Sequence, residues 1–176
     1  MSRITLFQND RNWNTIRNQV WSLVDAEHSS GLAQNSKLVQ KLESRLAEQC
    51  GRKHCITVAS CTDALVIALQ ALRLPVGARV AVSNYTFTAS AHAIARAGYI
   101  AVPVDVDQNY CIDPDKIKHV SAIVAVDLFG NMCQWKQLEQ LGVPVINDAA
   151  QSLESHNGIK YSASYGAVSC ISFSQV

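Results

Sequence analysis

The 176-residue chain is long enough for one domain with a hydrophobic core; 48% of its residues are hydrophobic and its formal net charge is +1. This composition is typical of a soluble globular protein, and the lack of a basic run argues against a nucleic-acid partner. The longest apolar stretch, residues 64–74, is interrupted by Gln70 and Arg73 and falls short of a membrane span. Six scattered cysteines without a CxxC pair, and no apolar signal-peptide core in residues 1–6, predict a cytoplasmic protein without a metal site.

Helical and strand patterns alternate from about residue 35 onward. The polar first thirty residues tend toward helix and are expected to lie across the surface. An apolar stripe between Leu38 and Ala47 predicts the next helix. Further helices are predicted at 63–74, 88–97, 113–119 and 132–141, and strands at 54–59, 79–83, 99–104, 122–127, 143–147 and 168–173.

The predicted strand at 122–127 is apolar on both faces, which is typical of a parallel sheet covered by helices. We therefore expect an α/β fold with a mainly parallel sheet and helices on both faces. Residues 1–30 would form a helical surface segment, and 31–176 the N-terminal part of a larger domain. The last predicted strand enters the core only three residues before Val176, so we expect the domain to be incomplete at its C-terminus.

Three segments follow predicted strands, where open α/β sheets bind their ligands. Ser60-Cys61-Thr62-Asp63 opens an apolar helix and is suited either to hold a phosphate or to act as an ordinary N-cap. Tyr85-Thr86-Phe87 offers aromatic rings that either stack on a flat ligand or pack in the core.

Asp148 follows a buried apolar strand, where a carboxylate is costly unless it is a helix cap or has a cationic partner. A phosphate cradle, an aromatic plate and a buried carboxylate together are what pyridoxal 5′-phosphate (PLP) requires. The carboxylate would keep the pyridine nitrogen protonated, and the protonated ring would act as an electron sink.

The order of these segments resembles the DegT/StrS family of PLP-dependent sugar-nucleotide aminotransferases. The motifs that carry the resemblance are Ser60–Leu65, Tyr85–Phe87, Asp105–Asp107, Leu128–Gly130, Asn147–Gln151, Gly166 and Ser172–Phe173. The resemblance covers residues from about 30 to the end. It implies the large domain of the aspartate-aminotransferase fold (fold type I), with the small C-terminal domain absent from this chain.

The resemblance also implies roles for single residues. Thr62 and the backbone of Asp63 would hold the cofactor phosphate, with Ser172 on its other side. Phe87 would stack on the pyridine ring, and Gln151 would contact the ring hydroxyl.

Asp148 would pair with the ring nitrogen as the catalytic carboxylate. The Schiff-base lysine is expected immediately after Val176. Cys61 departs from the family pattern, which usually has glycine there, but it leaves the backbone amides available.

The activity that the resemblance implies is transfer of an amino group, with glutamate as donor, to a nucleotide-linked keto-sugar by a homodimer. Two alternatives stay open. A histidine in place of the lysine would give a PLP-dependent sugar dehydratase of the same family. Loss of covalent chemistry would give a silent sensor or scaffold with the same fold.

Overall fold

The computed structural model describes residues 9–30 and 36–174. These residues form two compact units that divide between Ser44 and Arg45, and each is described on its own. The expectations for residues 1–6, and for the end of the chain at Val176, lie outside the described residues.

Helices and strands alternate along the chain as the sequence predicts. The helices are α1 (Asn9–Ser30), α2 (Lys37–Gln49), α3 (Cys61–Ala71), α4 (Thr88–Arg96) and α5 (Trp135–Gln140). The strands are β1 (Arg79–Ser83), β2 (Ile100–Val104), β3 (Ala122–Val126), β4 (Val145–Ala149) and β5 (Val168–Ile171). Three single 3₁₀ turns lie at Pro114–Lys116, Leu128–Gly130 and Ser162–Ser164.

The five strands form one parallel sheet in the order β2-β1-β3-β4-β5. Since side chains alternate between the faces of a strand, each face builds its own core. One face packs against α3 and α4 through Leu65, Leu69, Ile94, Val82, Val124 and Ile146. The other face packs against α5 through Trp135, Leu138, Ile123, Ala125 and Val145. The predicted α/β fold with helices on both faces is therefore confirmed.

The strand predicted at 54–59 is wrong. The structure has no strand there, and the side chain of Ile56 is 78% exposed. The segment has alternating apolar residues, but among the described strands none pairs with it. Without a neighbouring strand, the backbone N–H and C=O groups of this segment cannot form the inter-strand hydrogen bonds of a sheet.

Two predicted helices are shorter than expected. Of residues 113–119 only Pro114–Lys116 form a 3₁₀ turn, because the chain returns to an extended conformation at Ile117. The helix predicted at 132–141 begins three residues later, at Trp135. The predicted strand at 143–147 is shifted to Val145–Ala149, which places Asp148 inside the strand rather than after it.

Gly166 lies where the chain turns into β5 and passes close to β4. Its φ is +76°, and a Cβ there would lie 2.7 Å from the carbonyl oxygen of Val145 and 3.3 Å from the amide nitrogen of Asn147. The next residue, Ala167, donates its N–H to that same carbonyl at 2.8 Å. Only glycine combines the left-handed conformation with so close an approach.

We expect Gly166→Ala to lower the free energy of unfolding of the full-length protein by about 3 kcal/mol, from backbone strain plus the collision with β4. Gly77 is the matched control, because it has the same φ of +76° and a Cβ added there would meet no atom of the described residues within 4 Å. Gly77→Ala should cost only about 1 kcal/mol. Urea denaturation measures both, and equal losses would contradict the close approach.

Candidate functional site

The carboxyl ends of the parallel strands meet at one edge of the sheet, and the candidate residues lie there. Asp148 of β4 is in register with Cys170 of β5, so Ser172 follows the strand beside it. The first turn of α3 lies next to these strands, since Cys61 packs against the buried cluster that includes Ile146 of β4 and Cys170 of β5. The fold therefore brings the start of α3 and the ends of β4 and β5 together.

The Asp148 side chain points to the face covered by α3 and α4, and the residue is 5% exposed. Its Oδ2 accepts a hydrogen bond from the Ser90 hydroxyl at 2.7 Å, and its Oδ1 a longer one from the Ala150 amide at 3.3 Å. Burial raises the pKa of this carboxyl, and the charge of Asp127 adds to the effect. The bonds from Ser90 and Ala150 oppose it.

No cationic side chain among the described residues faces Asp148. A carboxylate has about four lone-pair positions, and here only two are used. A buried anion in this state favours a cationic, hydrogen-bonding ligand. The protonated nitrogen of a pyridine ring fits this requirement.

A second buried acid, Asp127, has more hydrogen-bond donors around its carboxylate than Asp148 has. It follows β3 and is 0% exposed. It accepts hydrogen bonds from the Cys133 amide at 2.7 Å, the Trp135 indole at 3.3 Å and the Ser162 hydroxyl at 2.5 Å. Burial raises its pKa, and these donors oppose the rise. Asp127 therefore holds loops together on the α5 face, and more of its acceptor positions are filled than those of Asp148.

Asp127, Cys111 and Cys133 place their side-chain ligand atoms within 4.8 Å of one another. Hydrogen bonds account for this grouping. The Cys111 thiol donates to the Asn131 carbonyl at 3.5 Å, and the Cys133 thiol to the Val126 carbonyl at 3.3 Å. With the carboxylate already holding three donors, the three groups are a packed polar cluster of the core.

The N-terminus of α3 has the capping arrangement that its sequence predicts. Ser60 Oγ accepts a hydrogen bond from the Asp63 amide at 3.1 Å, so this amide is engaged by the cap. The amides of Cys61 and Thr62 in the first turn have no acceptor within the described part of the chain. The Asp63 carboxylate lies 3.2 Å from the Arg96 guanidinium, which partly neutralises it. An anion would thus meet Cys61 and Thr62, and the predicted role of the Asp63 backbone requires a rearranged cap.

Gln151 is oriented by the chain after β3. Its Oε1 accepts the N–H of Phe129 at 2.8 Å, and Phe129 has a φ of +57°. Fixing the oxygen in this way directs the Nε2 donor elsewhere, and among the described residues Nε2 has no acceptor. A free amide donor is suited to a phenolic oxygen such as the ring hydroxyl of PLP.

Phe87 and Tyr85 are outside the core, at 71% and 52% exposure. The Tyr85 ring lies 5.5 Å from that of Tyr110, which is 5.8 Å from that of Phe129. Exposed rings at the ligand edge of a sheet can stack on a flat partner.

Ser172 is half-buried and its hydroxyl accepts the Ser174 amide at 3.0 Å.

The site contains residues that sequence reasoning missed, chiefly Ser90 and Asp127. The sequence does indicate Asp127, because it is, like Asp148, an acid at the end of an apolar strand. Ser90 lies in the alanine-rich helix 88–97, where a serine gives no indication of the face it occupies until the helix is placed on the sheet.

A parallel α/β sheet with a helix start and a buried acid at its carboxyl edge is typical of α/β domains that bind ligands at that edge. The chain belongs to the DegT/DnrJ/EryC1/StrS aminotransferase family, whose family model matches residues 14–176. The residues present at the site fit the PLP on which enzymes of this family depend.

Relatives support the same assignment. The UDP-2-acetamido-2-deoxy-3-oxo-D-glucuronate aminotransferase of Pseudomonas aeruginosa is 36% identical in an alignment of length 145 that covers 77% of this chain and 40% of that protein. The GDP-perosamine synthase of Escherichia coli O157:H7 is 31% identical over 82% of this chain and 43% of its own length. The crystal structure of a DegT/DnrJ/EryC1/StrS aminotransferase from Brucella abortus gives a TM-score of 0.89 at 26% identity, covering 96% of this chain and 50% of that one. The chain spans half or less of the length of these three proteins.

Within the described part of the chain, every helix is too short or too polar to cross a membrane.

The raised pKa of Asp148 predicts how stability depends on pH in the absence of a ligand. The folded protein binds a proton at Asp148 more readily than the unfolded chain does. Its contribution to stability therefore falls as pH rises through the folded-state pKa. Asp148→Asn removes this loss, so we expect the cofactor-free variant to gain on the order of 1 kcal/mol over the parent at pH 7.5, and less toward pH 4.

Urea denaturation of the full-length protein at several pH values measures this difference. Asp105→Asn is the matched control, because Asp105 is an exposed carboxylate at the end of β2. A parent more stable than Asp148→Asn at pH 7.5 would show that the buried carboxylate already has a stabilising partner.

Proposed function

We propose that the protein is a PLP-dependent aminotransferase that moves an amino group from glutamate to a nucleotide-linked keto-sugar. The observation that carries this proposal is Asp148, a buried carboxylate with unused acceptor positions beside an anion-binding helix start. Family membership gives the reaction class.

Most residues of the site would bind the cofactor, and Asp148 would control the protonation of its ring. The amides of Cys61 and Thr62, with the hydroxyls of Thr62 and Ser172, would hold the phosphate. Phe87 would cover one face of the ring, and the Gln151 amide would donate to the ring hydroxyl.

Asp148 would hold the proton on the ring nitrogen, because an adjacent anion stabilises the protonated form. When bound, PLP supplies an electron-withdrawing ring that takes up the charge left by the departing α-proton.

The proposed substrates follow from the relatives. The two proteins above are named for UDP- and GDP-linked sugars. A nucleotide-linked keto-sugar is therefore our proposed acceptor, glutamate our proposed donor, a homodimer our proposed assembly and the cytoplasm its proposed location.

We further propose that a lysine following Val176 forms the Schiff base. Borohydride reduction of the full-length protein with PLP, followed by peptide mapping, should place the adduct on that lysine, and an adduct on another residue would overturn this assignment.

Asp148→Asn should slow the half-reaction with glutamate by about 100-fold or more, equivalent to roughly 3 kcal/mol of barrier. The shape of the side chain is kept, but without the anion the ring nitrogen loses its proton. Binding of PLP should suffer less, because Thr62 and the start of α3 are untouched. Stopped-flow absorbance of the bound cofactor measures the rate in the full-length enzyme.

Asp105→Asn is again the control and should react at the parent rate, since it removes an exposed carboxylate at the carboxyl end of β2, which β1 and β3 separate from β4. A parent rate in Asp148→Asn would mean that the carboxylate serves only the fold.

A further inference from the structure

Ser90 has an unusual environment for a helix residue. It lies in the first turn of α4, is 1% exposed, and its hydroxyl donates to Asp148 Oδ2 at 2.7 Å. This is the shortest of the hydrogen bonds described for Asp148, the other being the 3.3 Å contact from the Ala150 amide. Ser90 is therefore the main hydrogen-bond donor that the fold supplies to the candidate carboxylate.

The Ser90 hydroxyl is itself held by a second hydroxyl. Thr86 Oγ1 lies 3.2 Å from Ser90 Oγ. A hydroxyl has one hydrogen, and that of Ser90 is committed to the ionised carboxylate, which only accepts. Thr86 must then donate to Ser90, so the hydrogen bonds run in one direction, from Thr86 to Ser90 to Asp148. Chains of this kind polarise each member and strengthen the last bond.

Apart from Ser90, no side chain among the described residues stabilises the charge of Asp148. Cys61 of α3 and Cys170 of β5 are both thiols that Asp148 affects electrostatically, and burial with this anion raises the pKa of Cys61 to about 12. Both thiols stay neutral near pH 7. The remaining charged group is Asp127 on the next strand, which repels Asp148. Among the described side chains, Ser90 alone hydrogen-bonds to the Asp148 carboxylate.

We propose that Ser90, supported by Thr86, is the positioning residue that keeps Asp148 ionised and fixes the direction of its free lone pairs. The proposal rests on the proposed PLP function and deepens it. Holding Oδ2 leaves Oδ1 and its remaining lone pairs for the protonated ring nitrogen. Thr86 is next to Phe87, so one short segment would place both the ring-stacking side chain and the support of the carboxylate.

Ser90→Ala tests the proposal by the binding of pyridoxamine 5′-phosphate to the cofactor-free full-length protein. The dissociation constant is measured by tryptophan fluorescence between pH 5 and 9. Binding needs ionised Asp148, so affinity falls on the acid side as this carboxyl is protonated. Losing a hydrogen bond to the charged form raises its pKa, and we expect the acid limb to move up by about one pH unit. At any pH on the acid limb the variant should bind about tenfold more weakly than the parent.

Three further variants separate positioning from folding. Ser90→Thr keeps the hydroxyl and should restore the parent pH profile. Thr86→Val removes only the supporting donor, so it should shift the acid limb in the same direction by a smaller amount. If Ser90→Ala does not fold, Thr86→Val still tests the role of Ser90. Ser83→Ala is the control, because Ser83 is a buried serine of β1 whose hydroxyl has no partner among the described residues. It should leave the profile unchanged.

The outcomes distinguish this inference from the proposed function. The ligand phosphate titrates alike in every variant, so differences between variants report on the protein. Parent profiles in both Ser90→Ala and Thr86→Val, with weakened binding in Asp148→Asn, would overturn the role of Ser90 and keep the cofactor site. Parent profiles in all of them, Asp148→Asn included, would overturn the cofactor site itself.

Discussion

Burial of the Asp148 carboxylate is the constraint on which the site depends. A charge taken out of water needs a partner, and the sheet supplies only two hydrogen bonds and no cation among the described residues. The Asp148 carboxylate at the carboxyl edge of the sheet therefore lacks a charged partner among the described residues. By the proposed function, the protonated ring nitrogen of the cofactor would supply this partner, so one interaction would connect stability with activity.

Two buried acids on neighbouring strands differ in role. Asp127 holds the fold together, and Asp148 is the proposed catalytic carboxylate. Asp127 turns toward α5 and is satisfied by three donors, including the Trp135 indole. Asp148 turns toward α3 and α4 and retains free acceptor positions. The backbones are joined directly, since the Asp127 amide donates to the Asp148 carbonyl at 3.1 Å. The residue whose carboxylate accepts three hydrogen bonds is thus joined through its backbone to Asp148.

The sequence predicts much of the fold because its apolar patterns are strong. Arg79–Ser83 is predicted with the bounds that the structure has, and β3 differs by one residue. The segment 54–59 has an equally good strand pattern, but a pattern does not provide a neighbouring strand. At the site, local signals identify Asp148 but cannot distinguish it from Asp127, because the face that each acid occupies depends on the register of the sheet. The contact of Ser90 joins residues 58 positions apart and leaves no local trace.

The central claim is that Asp148 holds a proton on the ring nitrogen of the cofactor. The most direct measurement is ¹⁵N NMR of pyridoxamine 5′-phosphate labelled at that nitrogen and bound to the full-length protein, at a pH where the free compound has lost the proton. We expect the chemical shift of a protonated ring nitrogen in the parent and of an unprotonated one in Asp148→Asn. An unprotonated nitrogen in the parent, or the same shift in both proteins, would contradict it.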